Sequence, residues 1–240
     1  MRILVLSDIH SNLTALEAVL ESAGAYDAVW CLGDIVGYGP DPNECIALVR
    51  GLNNLVCLRG NHDAATIGNV DQHTFNQDAS LAISWTKRIL GADGKEFLLS
   101  LPEKKIIGEV TLVHGSPHNP VWDYVMDYLT AIRMFEYFDT RLCMVGHTHV
   151  PAYWNEQSDS QNKSLVLDFQ KKNVSERVIL NPGSVGQPRD HDPRASYAFF
   201  DPDDSTWELR RVEYDIKRVQ ERIKKTDLPY RHAMRLAEGW

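Results

Sequence analysis

The strongest constraint on this chain is an alternation that fills its first sixty residues. Arg2–Ser7 (RILVLS) is a continuous apolar run with a polar tip, the pattern of a strand buried on both faces. In NLTALEAVLESAG, which follows, Leu13, Leu16, Val19, Leu20 and Ala23 share one helical face, and Gly24 supplies a stop. Asp27–Asp34 (DAVWCLGD) reads as a second strand. DPNECIALVR announces a second helix, with Asp41 as cap, Pro42 at the first helical position and Glu44 completing a capping box. Asn54–Asp63 (NLVCLRGNHD) is strand and polar tip once more. Such a β-α-β-α-β order requires a parallel sheet, and ligands of such sheets gather beyond the carboxyl ends of the strands. The tips SDIH, LGD and RGNHD should therefore converge.

Beyond this unit, residues 71–91 read as one helix and a strand-rich stretch follows it. Glu109–Gly115 (EVTLVHG) is an apolar run ending in histidine, Ser116–Leu129 an aromatic and acidic loop, and Thr130–Phe138 a helix. RLCMVGHTH is strand and tip again. VPAYW, SLVLDF, RVILNPGS, SYAFFD and TWELRRVEYD read as consecutive strands, and Asp215–Lys225 as a charged amphipathic helix. No repeat or linker interrupts the chain, so the expectation is one domain over 1–240, with 216–240 as a peripheral helix and tail.

The formal charge of −8, with acids and bases interspersed, argues against an extended surface for duplex nucleic acid or a membrane face. Cys31, Cys45, Cys57 and Cys143 form no CxxC pair, and three of them lie in apolar runs. They read as buried thiols of a cytoplasmic protein. No apolar run is long enough for a membrane span, and the N-terminus lacks the pattern of a signal peptide.

The strand tips carry Asp8 and His10; Asp34; Asn61, His62 and Asp63; His114; and His147 and His149. Each has a bland explanation by itself: Asp8 as a helix cap, Gly33-Asp34 as a turn, Asn61 as a left-handed residue. Five of the nine histidines fall at four of these five tips, which leaves the bland explanations little weight. A donor set of Asp, His and Asn without thiolate suits divalent Mn, Fe, Zn or Co. Seven candidates are too many for one tetrahedral ion and suit two ions sharing a carboxylate.

In this order, DIH, GD, GNHD, VHG and GHTH resemble the calcineurin-like metallophosphoesterase superfamily. NPGS (Asn181–Ser184) extends the resemblance to its small prokaryotic phosphodiesterase-like branch. The resemblance implies an α/β fold, a four-layer α/β/β/α sandwich of two mixed sheets flanked by helices. It implies a first metal on Asp8, His10, Asp34 and His149, and a second on Asn61, His114 and His147, bridged by Asp34. The pair would be manganese first of all, with Fe, Zn, Ni, Co or Mg as alternatives. It further implies in-line attack on phosphorus by a metal-bridging hydroxide, with His62 assisting the leaving group. The implied substrate is a small phosphate ester, nucleotides included, with diesters favoured over monoesters. The competing reading is a non-catalytic interaction protein on the same fold, against which the intact donor set speaks. No HxHxDH, GxSxG or P-loop pattern offers another hydrolase.

The chain departs from the protein phosphatases of the superfamily in GDIVGYG (Gly33–Gly39), where they carry GDxVDRG. Gly37 stands where an aspartate would orient the catalytic histidine, and Tyr38 where an arginine would grip phosphate. Tyr38, Arg59 and Arg189 are accordingly the candidate substrate contacts, the last beside the glycine-rich turn NPGSVGQP, whose amides could approach an anion. Trp122, Tyr124 and Tyr128 are candidate stacking partners. His73, His118, His191 and His232 belong to no motif.

Overall fold

The computed structural model describes residues 1–157 and 171–240. Among the described residues eleven strands are seen: β1 (Ile3–Leu6), β2 (Ala28–Cys31), β3 (Leu55–Cys57), β4 (Lys104–Ile107), β5 (Val110–Val113), β6 (Leu142–Met144), β7 (Ala152–Asn155), β8 (Lys172–Asn173), β9 (Val178–Asn181), β10 (Ala195–Asp201) and β11 (Thr206–Val212). Eight α-helices join them: α1 (Leu13–Ala23), α2 (Pro42–Arg50), α3 (Asn61–Thr66), α4 (Gln77–Ile89), α5 (Ala92–Ser100), α6 (Tyr128–Met134), α7 (Ile216–Lys224) and α8 (Tyr230–Glu238). The strand expected over 164–169 lies outside the described residues.

The strands form two mixed sheets, ordered β3-β2-β1-β10-β11-β8 and β4-β5-β6-β9-β7. As the opening alternation requires, β1, β2 and β3 are parallel neighbours, and β10 closes against β1 antiparallel. In the second sheet β5, β6 and β9 run parallel. Side-chain alternation builds the layers. From β1, Ile3 and Val5 enter the core between the sheets with Leu112, Met144, Leu180 and Trp207. Leu4 and Leu6 point the other way, into a core shared with Leu16, Val19, Ile46 and Leu98 of the helices. The far face of the second sheet packs Val113, Cys143 and Ile179 under Ala131 and Phe135. The result is the expected sandwich of two mixed sheets between helices. All four cysteines are buried and unpaired. No helix among the described residues is long and apolar enough to cross a membrane.

Four local expectations are corrected. The helix expected over 71–91 is broken: a 3₁₀ turn (Gln72–Thr74) precedes α4, and the extended Phe75 separates them. Asn76 causes the break, because its side chain caps α4 by accepting from the Ala79 amide at 3.0 Å. The stretch after residue 91, expected to be strand-rich, begins with α5, where Gly94 admits Leu90 and Ile46 close to the helix. Asp41 stands at the N-cap of α2 without capping it. Its carboxylate accepts instead from the Leu13 amide at 3.4 Å and pairs with Arg222 of α7. Finally, the segment beyond residue 225, expected to be a peripheral tail, forms α8. Its buried His232, Ala233 and Leu236 dock on Tyr38, α4 and α7.

Candidate metal centre

The loops that leave the carboxyl ends of β1, β2, β3, β5 and β6 meet at one place, and their backbones are bent to do so. Asp8, His10, Asp34, His147 and His149 all adopt left-handed φ, between 48° and 65°. Such conformations cost non-glycine residues on the order of 1–2 kcal/mol each, and they cluster where function fixes them. Glycine permits the crowding. A Cβ on Gly60 would sit 2.1 Å from Asp34 Oδ1, and one on Gly146 would sit 2.0 Å from Ser7 Oγ.

The donor atoms converge around Asp34. Its Oδ2 lies 3.6 Å from His10 Nε2 and 3.4 Å from His114 Nε2, which puts it between two groups of donors. On one side, Asp8 Oδ1 is 3.7 Å from His10 Nε2 and 3.3 Å from His149 Nε2, and the two imidazole nitrogens are 3.0 Å apart. On the other, Asn61 Oδ1 is 3.1 Å from His114 Nε2. Among the described residues, three groups could hold a metal ion: Asp8, His10 and His149; His10, Asp34 and His62; and Asp34, His114 and His147.

The hydrogen bonds behind these atoms fix which lone pairs face inward. His10 Nδ1 donates to the Val36 carbonyl at 3.1 Å, His114 Nδ1 to Leu32 at 3.0 Å and His149 Nδ1 to Gln187 at 2.6 Å. A carbonyl only accepts, so each Nδ1 carries a proton and Nε2 is the ring atom turned toward the other donors, as in metal-bound imidazoles. One oxygen of each aspartate is likewise occupied: Asp34 Oδ1 by the His62 amide at 2.9 Å, and Asp8 Oδ2 by Ser7 Oγ at 2.6 Å and the His147 amide at 3.1 Å. Asp8 Oδ1, Asp34 Oδ2 and His147 Nε2 are left buried without a hydrogen-bond partner. Buried polar atoms without partners are costly, and here all three lie in the groups that would face an ion. The residues fit divalent metal.

The charges are strongly linked. Burial opposes ionisation of Asp34, but His114, His62 and His10 outweigh it and hold the carboxyl well below the usual range. Burial likewise opposes protonation of His114, and Asp34 overcomes it, raising the imidazole to about 9. Burial, with the His114 charge, lowers His147 to about 3. Burial, with Arg189, holds His149 well below the normal range.

His62 lies on this floor but is built differently. Its Nδ1 is buried and unpaired. No aspartate orients the ring, and Gly37 leaves no room for one, since a Cβ there would sit 2.6 Å from Nδ1. Aromatic packing replaces the hydrogen bond: Tyr38 at 4.4 Å, Phe75 at 5.0 Å and His10 at 5.0 Å between ring centroids. Burial, despite Asp34, keeps the imidazole neutral far below its ordinary value. Asp63 is structural, as its position suggested. Its carboxylate accepts from Val36 N at 3.1 Å and Gly60 N at 3.0 Å, joining two of the loops.

A cleft of about 630 Å³ opens over Asn61 and His62. One wall is aromatic: Phe75, Trp122 and Tyr124, the last stacked on His147 at 3.8 Å. A second wall carries the cations Arg189 and Arg235 beside Tyr38 and Trp240. Arg189 stands 5.6 Å from the Tyr38 ring, and its amide donates to the His149 carbonyl at 3.2 Å. Two sequence candidates are elsewhere. Arg59 is turned away, bound to Glu103 at 2.8 Å and the Leu99 carbonyl at 3.3 Å. Tyr128 is not among the residues lining the cleft. The amides of the NPGSVGQP turn are not free for an anion either. Val185 N and Gly186 N bond the Ser7 and Asp8 carbonyls, and Gln187 N bonds Ser184 Oγ, so the turn clamps the first loop. His118 pairs with Asp123 at 2.9 Å, and His232 is a buried helix residue. Arg235 and Trp240 were missed because they stand in the segment expected to be peripheral. The amphipathic spacing of His232, Ala233 and Leu236 was the available signal.

Comparison with known proteins agrees with this architecture. Residues 1–205 match the calcineurin-like phosphoesterase superfamily domain. A metallophosphoesterase from Sphaerobacter thermophilus superposes with a TM-score of 0.92 at 48% identity, covering 100% of this chain and 99% of that one. The uncharacterized protein MJ0912 of Methanocaldococcus jannaschii is 44% identical over 237 residues, 95% of this chain and 93% of its own. The phosphodiesterase YfcE of Escherichia coli K12 is 25% identical over 217 residues, 85% of this chain and 89% of its own. With its two mixed sheets and its buried Asp and His cage at the strand ends, the chain belongs to the calcineurin-like phosphoesterase superfamily.

Proposed function

We propose that the protein is a phosphodiesterase that works with two divalent ions. Asp8, His10, Asp34 and His149 would hold one ion, and Asp34, Asn61, His114 and His147 the other. The observation that carries this reading is the position of Asp34 Oδ2, unpartnered and 3.6 and 3.4 Å from two inward-facing imidazole nitrogens. When bound, such a pair supplies an acidified water and neutralises charge on the phosphoryl oxygens. The oxygen donors and absent thiolates suit manganese, with Fe, Zn, Ni, Co or Mg as alternatives.

The rest falls to the chain's own groups. His62, kept neutral by burial at the edge of the cleft, donates its ring N–H as a hydrogen bond to the departing oxygen. Arg189 takes the part of the guanidinium that Tyr38 replaces in the loop after β2. A diester is favoured because the cleft has walls on both flanks of His62, and a diester alone carries substituents on both sides of phosphorus. The uncharged Tyr38 in place of an arginine also suits a phosphoryl group with a single negative charge. The substrate would be a small ester, nucleotides included, and the four buried, unpaired thiols support a reducing, cytoplasmic setting.

The test is direct. Manganese-reconstituted protein is expected to hydrolyse bis-p-nitrophenyl phosphate faster than the mono-ester. Failure on both, with metal content near zero, would favour a scaffold; failure on the diester alone would make the protein a phosphomonoesterase.

A further inference from the structure

We propose that the cationic wall is a second anion subsite, and that the substrate carries a further phosphate next to the scissile one, held by Arg235 together with Arg189, which serves both phosphates. The inference rests on the phosphodiesterase reading and adds to it the class of ester.

Arg189 and Arg235 come from distant parts of the chain, one from the turn after β9 and the other from α8. Both line the cleft that contains His62. Neither forms an ion pair with a carboxylate among the described residues, and the Nε of each is buried without a partner. The one side-chain acceptor that Arg189 finds outside the cleft wall is neutral, Gln187 Oε1 at 3.0 Å. Arg235 stands 5.0 Å from the Trp240 ring, a contact that orients a guanidinium without neutralising it. Asp78, the acid whose field reaches Arg235, is engaged 3.7 Å from Arg231.

The two cations also repel one another. Burial first and then Arg189 weaken the hold of Arg235 on its proton, and both guanidiniums act on the Tyr38 hydroxyl. In a chain whose formal charge is −8, acids to neutralise them were plentiful in the sequence. Half-buried like charges without counter-ions are unfavourable until an anion completes the site, and planar guanidiniums match phosphate oxygens. A single phosphoryl group engaged over His62 and Asn61 does not need both arginines. A substrate with an adjoining phosphate does.

Binding and competition on the manganese-loaded protein test this. Methylenediphosphonate, which carries two adjoining anionic groups and is not hydrolysed, is compared with methylphosphonate by calorimetry and as an inhibitor of bis-p-nitrophenyl phosphate hydrolysis. Wild type should bind the diphosphonate about tenfold or more tighter, the scale of one charged hydrogen-bonded contact. Arg235→Gln should lower that ratio by about tenfold, and Arg235→Lys should restore part of it. Chelation of manganese by the diphosphonate would be unchanged by either substitution. An equal ratio in wild type and Arg235→Gln, with metal content and circular dichroism preserved, overturns the subsite. Absence of diester hydrolysis with the ratio intact would count against the phosphodiesterase reading alone.

Discussion

The floor of the cleft and its cationic wall are made in opposite ways. The floor is written into strand ends: five loops leave parallel strands, and each drops one or two donors into a common cage. Left-handed backbones, glycines in contact and, for His10, His114 and His149, Nδ1–carbonyl bonds hold the donors from behind. The wall is assembled by docking. α8 reaches the cleft because Ala233, Leu236 and His232 pack beneath it, and Arg189 leans on Tyr38. The comparison teaches that the metal-binding groups are fixed by the sheets, while the proposed choice of ester falls to a helix whose position depends on a few side chains.

The sharpest way to break this division is at Asp34, the group common to both halves of the floor. Asp34→Asn keeps the shape and the hydrogen bond from the His62 amide but removes the charge that two ions would share. We expect metal content, measured by plasma mass spectrometry, to fall toward one ion or none and kcat/KM to fall by at least about a hundredfold. Full occupancy in this variant would remove Asp34 from the bridging position.

His62 comes next, because it belongs to the floor but is packed like the wall. His62→Ala should keep its metals and slow turnover by about a hundredfold for poor leaving groups, and less for good ones. Gly37→Ala should reproduce part of that loss, since its Cβ would strike the ring of His62 and its φ of 99° disfavours a side chain. An equal slowdown across leaving groups would take His62 out of its role at the leaving-group oxygen.

This division also explains what the sequence made legible. The donor set could be read because strand, glycine and polar tip recur locally, and a parallel sheet brings such tips together whatever lies between them. Asp8, Asp34 and His149 needed no knowledge of packing. Arg59 could not be judged in that way: it follows a strand just as the donors do, yet Glu103 across the loop captures it. The 3₁₀ turn at Gln72–Thr74 was hidden by an uninterrupted helical periodicity, which Asn76 overrides through a single cap. Arg235 is a cation on a short amphipathic helix, and periodicity reveals which face is buried without revealing what that face is buried against.

The smallest effect expected concerns stability, and it separates wall from floor by pH. His232 carries α8 inward: it is 1% exposed, its Nε2 lies 3.2 Å from the Asp78 carbonyl, and its ring is 4.9 Å from that of Tyr38. Burial lowers its pKa from 6.5 to about 4, against the raising influence of Asp78. The unfolded chain therefore takes up a proton at His232 before the folded one does. The stabilisation is complete above about pH 6.5 and is lost as pH falls toward 4, up to about 3 kcal/mol in all. Other buried neutral histidines, His147 and His149 among them, push in the same direction, so the wild-type slope alone assigns nothing. The difference between metal-free wild type and His232→Gln does, because glutamine can still donate to Asp78 but does not titrate. Urea unfolding at pH 7.5 and pH 5 should show the variant losing less stability on acidification. The emission difference between the protein and its Trp240→Phe variant, which isolates this one of six tryptophans, should report whether α8 loosens before the sheets do. Identical slopes in the two proteins would mean that His232 is hydrated in solution, and that the helix bearing Arg235 is held to the floor by something other than this side chain.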